Sequence, residues 1–253
     1  MFGSLYKIWL GFRSTVFWIL FAPVTLVLSG LLLILFFTPL SVRIGVVKLW
    51  IASSLLILRG VCGLHYTIEG LENIPEQGFI VMSKHSSTWE TIALQRFFRP
   101  MIWVVKRELT RIPFFGWCLV ALDAIALNRG TGRKAIQQLV SESRPRMDQG
   151  RILMLFPEGT RVPPLQQKPF KLGGAIVSHR TGYAVLPIAH NAGEFWPRHS
   201  WIKWPGSIRV VIGKPIDPGG KSPEQIIEEV GIWITRECER ISDKAQLRRL
   251  GLA

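Results

Sequence analysis

The sequence predicts an α/β fold, in which a mostly parallel sheet is flanked by helices and preceded by an N-terminal hydrophobic two-helix membrane segment. After residue 61, short apolar runs alternate with longer amphipathic stretches, and Gly, Pro and polar clusters separate them. Strands that alternate with helices along a chain are typical of a largely parallel sheet. The first 60 residues differ, because they contain a long uncharged apolar stretch.

The uncharged stretch is long enough to cross a membrane. No charged residue lies between Arg13 and Arg43, and Val16–Phe37 is almost wholly apolar. A run of this length can span a hydrocarbon core of about 30 Å. It is too long for the apolar region of a signal peptide, and no small-residue cleavage site follows it. We therefore expect it to be retained.

A second apolar helix is predicted at Val42–Leu58, but it contains an arginine and a lysine. These charges make it a poor second span and a fair interfacial helix. A single span and a two-helix hairpin within one leaflet both remain open. Basic residues flank both ends, so charge does not set the orientation. The two stretches define membrane-anchoring helices in residues 1–60, ahead of an α/β domain in residues 61–253.

The α/β domain contains short apolar runs that predict strands at His65–Glu69, Phe79–Ser83, Met101–Lys106, Ala124–Leu127, Ile152–Phe156, Ala184–Ala189 and Ser207–Ile212. Helices are predicted at Thr88–Phe98, Thr131–Met147, Leu172–Thr181 and Pro223–Lys244. Ligands of such sheets bind at the carboxyl ends of strands. Polar side chains follow several predicted strands, and we expect them to converge on one rim if those strands are neighbours: His85, Lys106, Arg129 and Glu158.

His85 and Glu90 lie five residues apart, directly after a predicted strand. Residues five apart on one helix point about 140° away from each other, since each residue turns the helix by about 100°. The two side chains can therefore meet only if His85 lies in the turn and Glu90 in the first turn of the next helix. The carboxylate would then fix the imidazole tautomer and leave the other nitrogen as a base.

A structural alternative exists for the same residues. Ser87-x-x-Glu90 is also a capping box, with Ser87 as N-cap and Glu90 at the third helical position. In that case Glu90 serves only the helix end, and His85 is an ordinary loop residue. Local sequence alone favours the cap, because capping boxes are common.

A second motif is Phe156–Arg161, which follows another apolar run. Gly159 allows the backbone to come close to a ligand. Arg161 can bind a phosphate bidentately, and Glu158 can accept a hydrogen bond from a substrate hydroxyl. The alternative is a turn with an internal Glu158–Arg161 ion pair.

Charge and composition point towards a membrane and an anionic substrate. The 31 Lys and Arg residues exceed the 17 Asp and Glu residues, giving a net charge of +14, while 48% of residues are hydrophobic. The aromatic residues cluster with apolar runs rather than on a basic strand face, so nucleic-acid binding is not expected. Cys62, Cys118 and Cys238 are odd in number and far apart, which indicates neither a disulfide framework nor a zinc site.

Together these segments resemble the glycerolipid acyltransferase family, in particular its bacterial 1-acyl-sn-glycerol-3-phosphate acyltransferases, over nearly the whole chain. The family block His-x-x-x-x-Asp is matched by His85 and Glu90, with Glu in place of Asp. The block Phe-Pro-Glu-Gly-Thr-Arg is matched at every position by Phe156–Arg161. Other family segments are similar to Lys106–Leu109, Ile125–Arg129, Phe170–Gly173 and Val185–Ile188.

The resemblance implies acyl transfer from acyl-ACP or acyl-CoA to the 2-hydroxyl of 1-acyl-sn-glycerol-3-phosphate (lysophosphatidate), giving phosphatidic acid in phospholipid biosynthesis. His85, oriented by Glu90, would be the base, and no metal or other cofactor would be needed. Backbone N–H groups near the turn are candidates to stabilise the oxyanion. The implied substrate-binding residues are Lys106, Arg129, Glu158, Gly159, Thr160 and Arg161.

The resemblance also implies a location in the bacterial inner (cytoplasmic) membrane, with the catalytic domain facing the cytoplasm. A sibling acyltransferase, acting on another lysolipid or on glycerol-3-phosphate, remains an alternative. A non-enzymatic basic membrane adaptor is a second alternative, but it would not need both motifs. The loop Trp196–Trp204 is a candidate for contact with the membrane or the acyl donor, because Trp beside Arg or Lys suits the headgroup region. Arg107–Trp117 is a second candidate contact loop.

Overall fold

The computed structural model describes residues 2–98 and 100–252, without the side chains of residues 2, 3 and 129. Its centre is a β-sheet with strands in the order β1-β7-β6-β2-β5-β3-β4. The strands are β1 (Leu64–Glu69), β2 (Ile80–Ser83), β3 (Met101–Lys106), β4 (Ile125–Leu127), β5 (Ile152–Leu155), β6 (Val185–His190) and β7 (Gly206–Ile212).

All neighbouring strands in this sheet are parallel except β6 and β7, which are antiparallel. The predicted mostly parallel sheet is thus confirmed, and each predicted strand is present with its ends within one residue. The central strand β2 lies between β6 and β5 and is buried along its whole length. Because β2, β5, β3 and β4 are mutually parallel, the segments that follow them lie at one edge of the sheet.

Helices flank the sheet: α1 (Phe2–Ile34), α2 (Leu40–Ile57), α3 (Trp89–Ala93), α4 (Phe115–Ala121), α5 (Arg133–Met147), α6 (Gly173–Thr181), α7 (Ala192–Phe195), α8 (Pro223–Ile241) and α9 (Lys244–Arg249). The four helices predicted in the α/β domain are present, and each is shorter than expected, α3 most of all. A 3₁₀ turn at Leu94–Arg96 follows α3 and replaces the rest of the predicted helix. The predicted last helix is divided, because Asp243 caps the new helix α9.

The sheet has a hydrophobic core on each face. One core contains Leu10 and Phe17 of α1 and Ile51 of α2, packed with Trp89 and Phe98 of the α/β domain. The other core is formed with the apolar residues of α5, α6 and α8. The N-terminal helices therefore contribute to the core of the sheet domain.

The first two helices are long and apolar enough to cross a membrane, with candidate stretches at Ser4–Ile34 and Leu40–Cys62. Only 17% and 28% of their most hydrophobic windows are buried within the protein. Helix α1 begins well before the predicted apolar stretch, and α2 continues into a π-helical turn at Leu58–Cys62. The predicted division between residues 1–60 and 61–253 falls inside that turn and stays a prediction.

Candidate active site

The turn between β2 and α3 brings His85 and Glu90 together. His85 Nδ1 lies 2.9 Å from Glu90 Oε1, and the carboxylate is fully buried while 14% of the imidazole is exposed. His85 lies in the turn and Glu90 in the first turn of α3, which is the arrangement the spacing predicts. Their catalytic roles stay predictions.

The same carboxylate oxygen also serves the turn itself. Glu90 Oε1 accepts hydrogen bonds from the backbone N–H groups of Ser86 (2.9 Å) and Ser87 (2.8 Å). Glu90 therefore contacts the imidazole and also holds the turn, and its role in orienting His85 stays a prediction. The predicted N-cap at Ser87 is wrong, because Thr88 occupies the N-cap position. The Ser87 hydroxyl instead donates to the Trp196 carbonyl at 2.7 Å.

The charge on Glu90 fixes the tautomer of His85. Burial acts to raise the pKa of Glu90, but nearby His190, His85 and the Ser87 N–H outweigh it, so the pKa lies below its ordinary value. An ionised carboxylate only accepts hydrogen bonds, so the neutral imidazole of His85 has its proton on Nδ1 and its lone pair on Nε2. The Phe156 ring stacks on the imidazole with centroids 4.0 Å apart and restricts its rotation.

A second histidine lies beside the pair. His190, at the end of β6, is buried, and its Nε2–H donates to the Lys84 carbonyl at 2.8 Å. His190 Nδ1 accepts from the Ala192 N–H at 3.3 Å, and Nε2 lies 4.0 Å from Glu90 Oε2. Burial lowers the pKa of His190, and the Glu90 carboxylate opposes that shift. Sequence reasoning missed this contact, since its partners lie about a hundred residues away along the chain.

Glu158 is fully buried and lies against the residues that precede the turn. Its Oε1 atom is 2.9 Å from Lys84 Nζ and 3.4 Å from the His85 backbone nitrogen. The ion-pair partner is therefore Lys84, which sequence reasoning missed, and not Arg161. Glu158 Oε1 thus holds the turn, and the predicted contact of Glu158 with a substrate hydroxyl stays a prediction.

The rest of the Phe156–Arg161 block is joined to the turn through the backbone. The Val162 N–H donates to the His85 carbonyl at 2.8 Å, so Arg161 lies next to the turn between β2 and α3 and is half-buried. Gly159 has φ +68°, and a Cβ there would lie 2.9 Å from the Lys171 ammonium. Lys171 thus covers the glycine and adds a cation to this edge. Thr160 lies in the same turn and is half-buried.

The remaining predicted cations lie further along the same edge. Lys106 ends β3, two strands from β2, and its exposed ammonium lies 3.5 Å from Glu108. Arg129 follows β4 in a 3₁₀ turn, and its side chain lies outside the described residues. The strand order therefore brings Lys106 to the edge that holds His85.

Comparison with known proteins agrees with this geometry. The family model described as Acyltransferase matches residues 65–191. The chain belongs to the acyltransferase family. A relative from Pseudomonas aeruginosa, named 1-acyl-sn-glycerol-3-phosphate acyltransferase, is 42% identical over 200 residues, which cover 78% of both chains. An Arabidopsis thaliana chloroplastic protein of that name is 29% identical over 76% of this chain and 54% of its own.

The fold of this acyltransferase also matches a solved structure. The crystal structure of the 1-acyl-sn-glycerophosphate acyltransferase PlsC from Thermotoga maritima aligns with a TM-score of 0.73. The alignment covers 94% of this chain and 97% of that one at 23% sequence identity. At that identity the likeness shows the shared fold alone.

In the acyltransferase site, the hydroxyls of the two serines beside His85 are held by hydrogen bonds to the backbone. The Ser86 hydroxyl accepts from the Gly193 N–H at 3.1 Å, and the Ser87 hydroxyl donates to the Trp196 carbonyl. Both side chains are buried. A base without an adjacent protein nucleophile is suited to activating a hydroxyl that arrives with the substrate.

Proposed function

We propose that the chain transfers an acyl group from acyl-ACP or acyl-CoA to the 2-hydroxyl of 1-acyl-sn-glycerol-3-phosphate, giving phosphatidic acid for phospholipid biosynthesis. The observation that carries this proposal is the imidazole of His85 held by the buried Glu90 carboxylate. The names of the Pseudomonas and Arabidopsis relatives support the same acceptor.

The reaction needs no covalent enzyme intermediate. His85 Nε2 takes the proton of the 2-hydroxyl, and the oxygen attacks the thioester carbonyl carbon. The tetrahedral intermediate collapses with loss of the donor thiolate, which takes the proton back from the imidazolium. The Glu90 carboxylate stabilises that imidazolium, as the acid does in a catalytic triad.

The first N–H groups of the turn are engaged within the turn. The N–H groups of Ser86 and Ser87 donate to Glu90, and that of Trp89 donates to the Ser87 hydroxyl. Stabilisation of the oxyanion by backbone N–H groups near the turn stays a prediction.

The acceptor phosphate would bind among the cations of the same edge. The candidates are Arg161, which follows the segment next to the turn that holds His85, and Lys171, which lies against Gly159. Lys106 is a further candidate two strands away. Arginine pairs with a phosphate through two parallel hydrogen bonds, whereas lysine acts as a point charge. Arg129 and Thr160 stay predicted contributors to this site.

The setting would be a membrane, and in a bacterium the inner membrane with the catalytic domain facing the cytoplasm. Helices α1 and α2 expose most of their apolar surface, including Trp9, Phe12 and Ile19. An amphiphilic acceptor such as lysophosphatidate resides in a bilayer, which fits a site placed at its surface. A single span and a one-leaflet hairpin are both compatible with this proposal.

The test is transfer of labelled acyl groups from each donor to lysophosphatidate by the detergent-solubilised full chain, with His85→Ala as control. We expect transfer from at least one donor, and loss of turnover by a factor of at least about 100 in the variant, because general base catalysis contributes about that much. Turnover only on another lysolipid or on glycerol-3-phosphate would identify a sibling enzyme. Near-wild-type turnover in His85→Ala would overturn the mechanism.

A further inference from the structure

A buried lysine lies between the first helix and the α/β domain. Lys203 is 1% exposed, and its ammonium donates to the Trp201 carbonyl at 2.9 Å. The ammonium also lies 4.7 Å, 4.4 Å and 4.7 Å from the ring centroids of Phe17, Trp18 and Trp196. We call the rings of Phe17, Trp18, Trp196 and Trp201 the aromatic cage. Cation–π attraction offsets part of the cost of removing the ammonium from water.

The aromatic cage joins two separate parts of the chain. Phe17 and Trp18 belong to α1, whereas Trp196 and Trp201 belong to the segment that connects α7 to β7. Backbone contacts strengthen the junction, since the Lys203 N–H donates to the Ser14 hydroxyl at 3.0 Å. The lysine therefore holds this segment against the N-terminal helix.

The segment between α7 and β7 also contacts the turn between β2 and α3, which holds His85. The Trp196 carbonyl accepts a hydrogen bond from the Ser87 hydroxyl at 2.7 Å. The Ser87 N–H donates to Glu90 Oε1 at 2.8 Å, and that oxygen lies 2.9 Å from His85 Nδ1. A continuous set of buried contacts thus runs from the caged ammonium to the imidazole.

We propose that Lys203 is a positioning residue, whose caged ammonium fixes Trp196 and, through Ser87 and Glu90, the orientation of His85. The role makes acyl transfer depend on the seating of α1 against the α/β domain. This inference rests on the proposed function, because it concerns the orientation of the proposed base.

The charge of Lys203 is sensitive to pH in an accessible range. Burial lowers the pKa of Lys203 to about 8, and the Cys62 thiol opposes that shift. Arg13 acts on the same Cys62 thiol, and its side chain donates to the Val61 carbonyl at 2.6 Å. The aromatic cage therefore loses its cation as pH rises through about 8, well below the ordinary lysine pKa of about 10.4.

The test is a double-mutant cycle of Lys203→Met and Ser87→Ala in the solubilised full chain. We expect each change to lower kcat by about tenfold with the KM for lysophosphatidate unchanged, and the double variant to fall no further, because both changes break one path. Lys214→Met, an exposed lysine after β7, is the matched control and keeps wild-type kcat. Effects that multiply in the double variant would mean independent roles and would overturn the proposal.

The pH profile gives a second readout with Lys203→Arg, which keeps a cation at every accessible pH. We expect the wild-type kcat to fall towards that of Lys203→Met as pH rises through about 8. We expect Lys203→Arg to lack this fall. A fall of the same size in Lys203→Arg would overturn the proposal, even if Lys203→Met did not fold.

A third readout needs no turnover. The imidazole resonance of His85, assigned with His85→Gln, is followed by NMR in histidine-labelled protein. It should move in Lys203→Met and Ser87→Ala but not in Lys214→Met, and an unmoved resonance would overturn the proposal. If the wild type fails to acylate lysophosphatidate, the proposed function fails while this readout still decides the role of Lys203.

Discussion

At the residue scale, one oxygen atom of Glu90 contacts both the imidazole of His85 and the backbone of the turn. Glu90 Oε1 accepts hydrogen bonds from His85 Nδ1 and from the N–H groups of Ser86 and Ser87, at distances of 2.9, 2.9 and 2.8 Å. The two backbone N–H groups hold this carboxylate in place, and its position in turn sets the orientation of the imidazole. The glutamate therefore replaces the aspartate of the family block without losing the contact with His85.

The ionisation of Glu90 should appear in the pH dependence of stability. Its pKa in the folded protein is below the ordinary 4.5, so its stabilisation is present above pH 4.5 and is lost as pH falls through the folded pKa. Glu90→Gln cannot titrate, so its free energy of unfolding should change less with pH below 4.5 than that of the wild type. Denaturant unfolding in detergent at several pH values measures this difference.

His190 contributes a separate part of the pH profile. Burial lowers its pKa from 6.5, so its own stabilisation is lost as pH falls below 6.5 through the folded pKa. The Glu90 charge opposes that shift from 4.0 Å away, so in Glu90→Gln this part of the profile should remain and extend to lower pH. Parallel wild-type and Glu90→Gln curves below pH 4.5 would contradict the assignment of a buried, ionised carboxylate.

The residues of the site divide by how they could be found. The contact between His85 and Glu90 follows from a five-residue spacing and the period of a helix, so the sequence predicts it. The contacts of Lys84 with Glu158 and of Lys203 with Phe17 join residues far apart in the chain. Such contacts depend on strand order and helix docking, which no local pattern specifies.

At the element scale, strands were easier to predict than short helices. Each strand is an apolar run between Gly, Pro or polar breaks, and such runs are recognisable without knowing their neighbours. Helix α4 was missed, because Pro113 to Gly116 is typical of a turn and Phe114 has φ +59°. Its Ala121 carbonyl accepts from Arg43 of α2, so the helix is fixed by tertiary contacts.

The start of α8 was predicted from local signals, and its cap has a measurable energy. Ser222 Oγ accepts from the Gln225 N–H at 3.3 Å, and Gln225 Oε1 accepts from the Ser222 N–H at 2.8 Å. Ser222→Ala removes the first of these, so we expect a loss of about 1 kcal/mol in the free energy of unfolding. Denaturant titration in detergent measures it.

Ser141→Ala, in the middle of α5, is the matched control for the cap. Ser141 is exposed and donates to the Gln138 carbonyl within its own helix. Alanine has the higher helix propensity, so this change should be neutral or slightly stabilising. Equal destabilisation by the two serine changes would show that the hydroxyl of Ser222 has no special role as a cap.

At the scale of the whole molecule, the N-terminal helices serve two purposes. Most of their surface is apolar and exposed, which suits a bilayer, while one side completes a core of the α/β domain. The Phe17 ring packs edge-on against the Trp196 ring with centroids 5.6 Å apart, and the ring centroids of Tyr6 and Trp204 are 6.4 Å apart. Side chains of α1 and of the α/β domain therefore pack together next to the turn that holds His85.

This shared core predicts that residues 61–253 do not form an independent stable domain. Removing α1 and α2 would expose Trp196 and Trp89 and would leave the buried Lys203 ammonium without half of its aromatic cage. We expect the fragment to aggregate without detergent and to lack cooperative unfolding with it, whereas the full chain in the same detergent unfolds cooperatively. Size-exclusion chromatography and thermal unfolding measure both properties. A soluble, monodisperse fragment with a cooperative transition would show that the anchor only tethers the domain, because a domain that needs α1 for its core cannot fold alone.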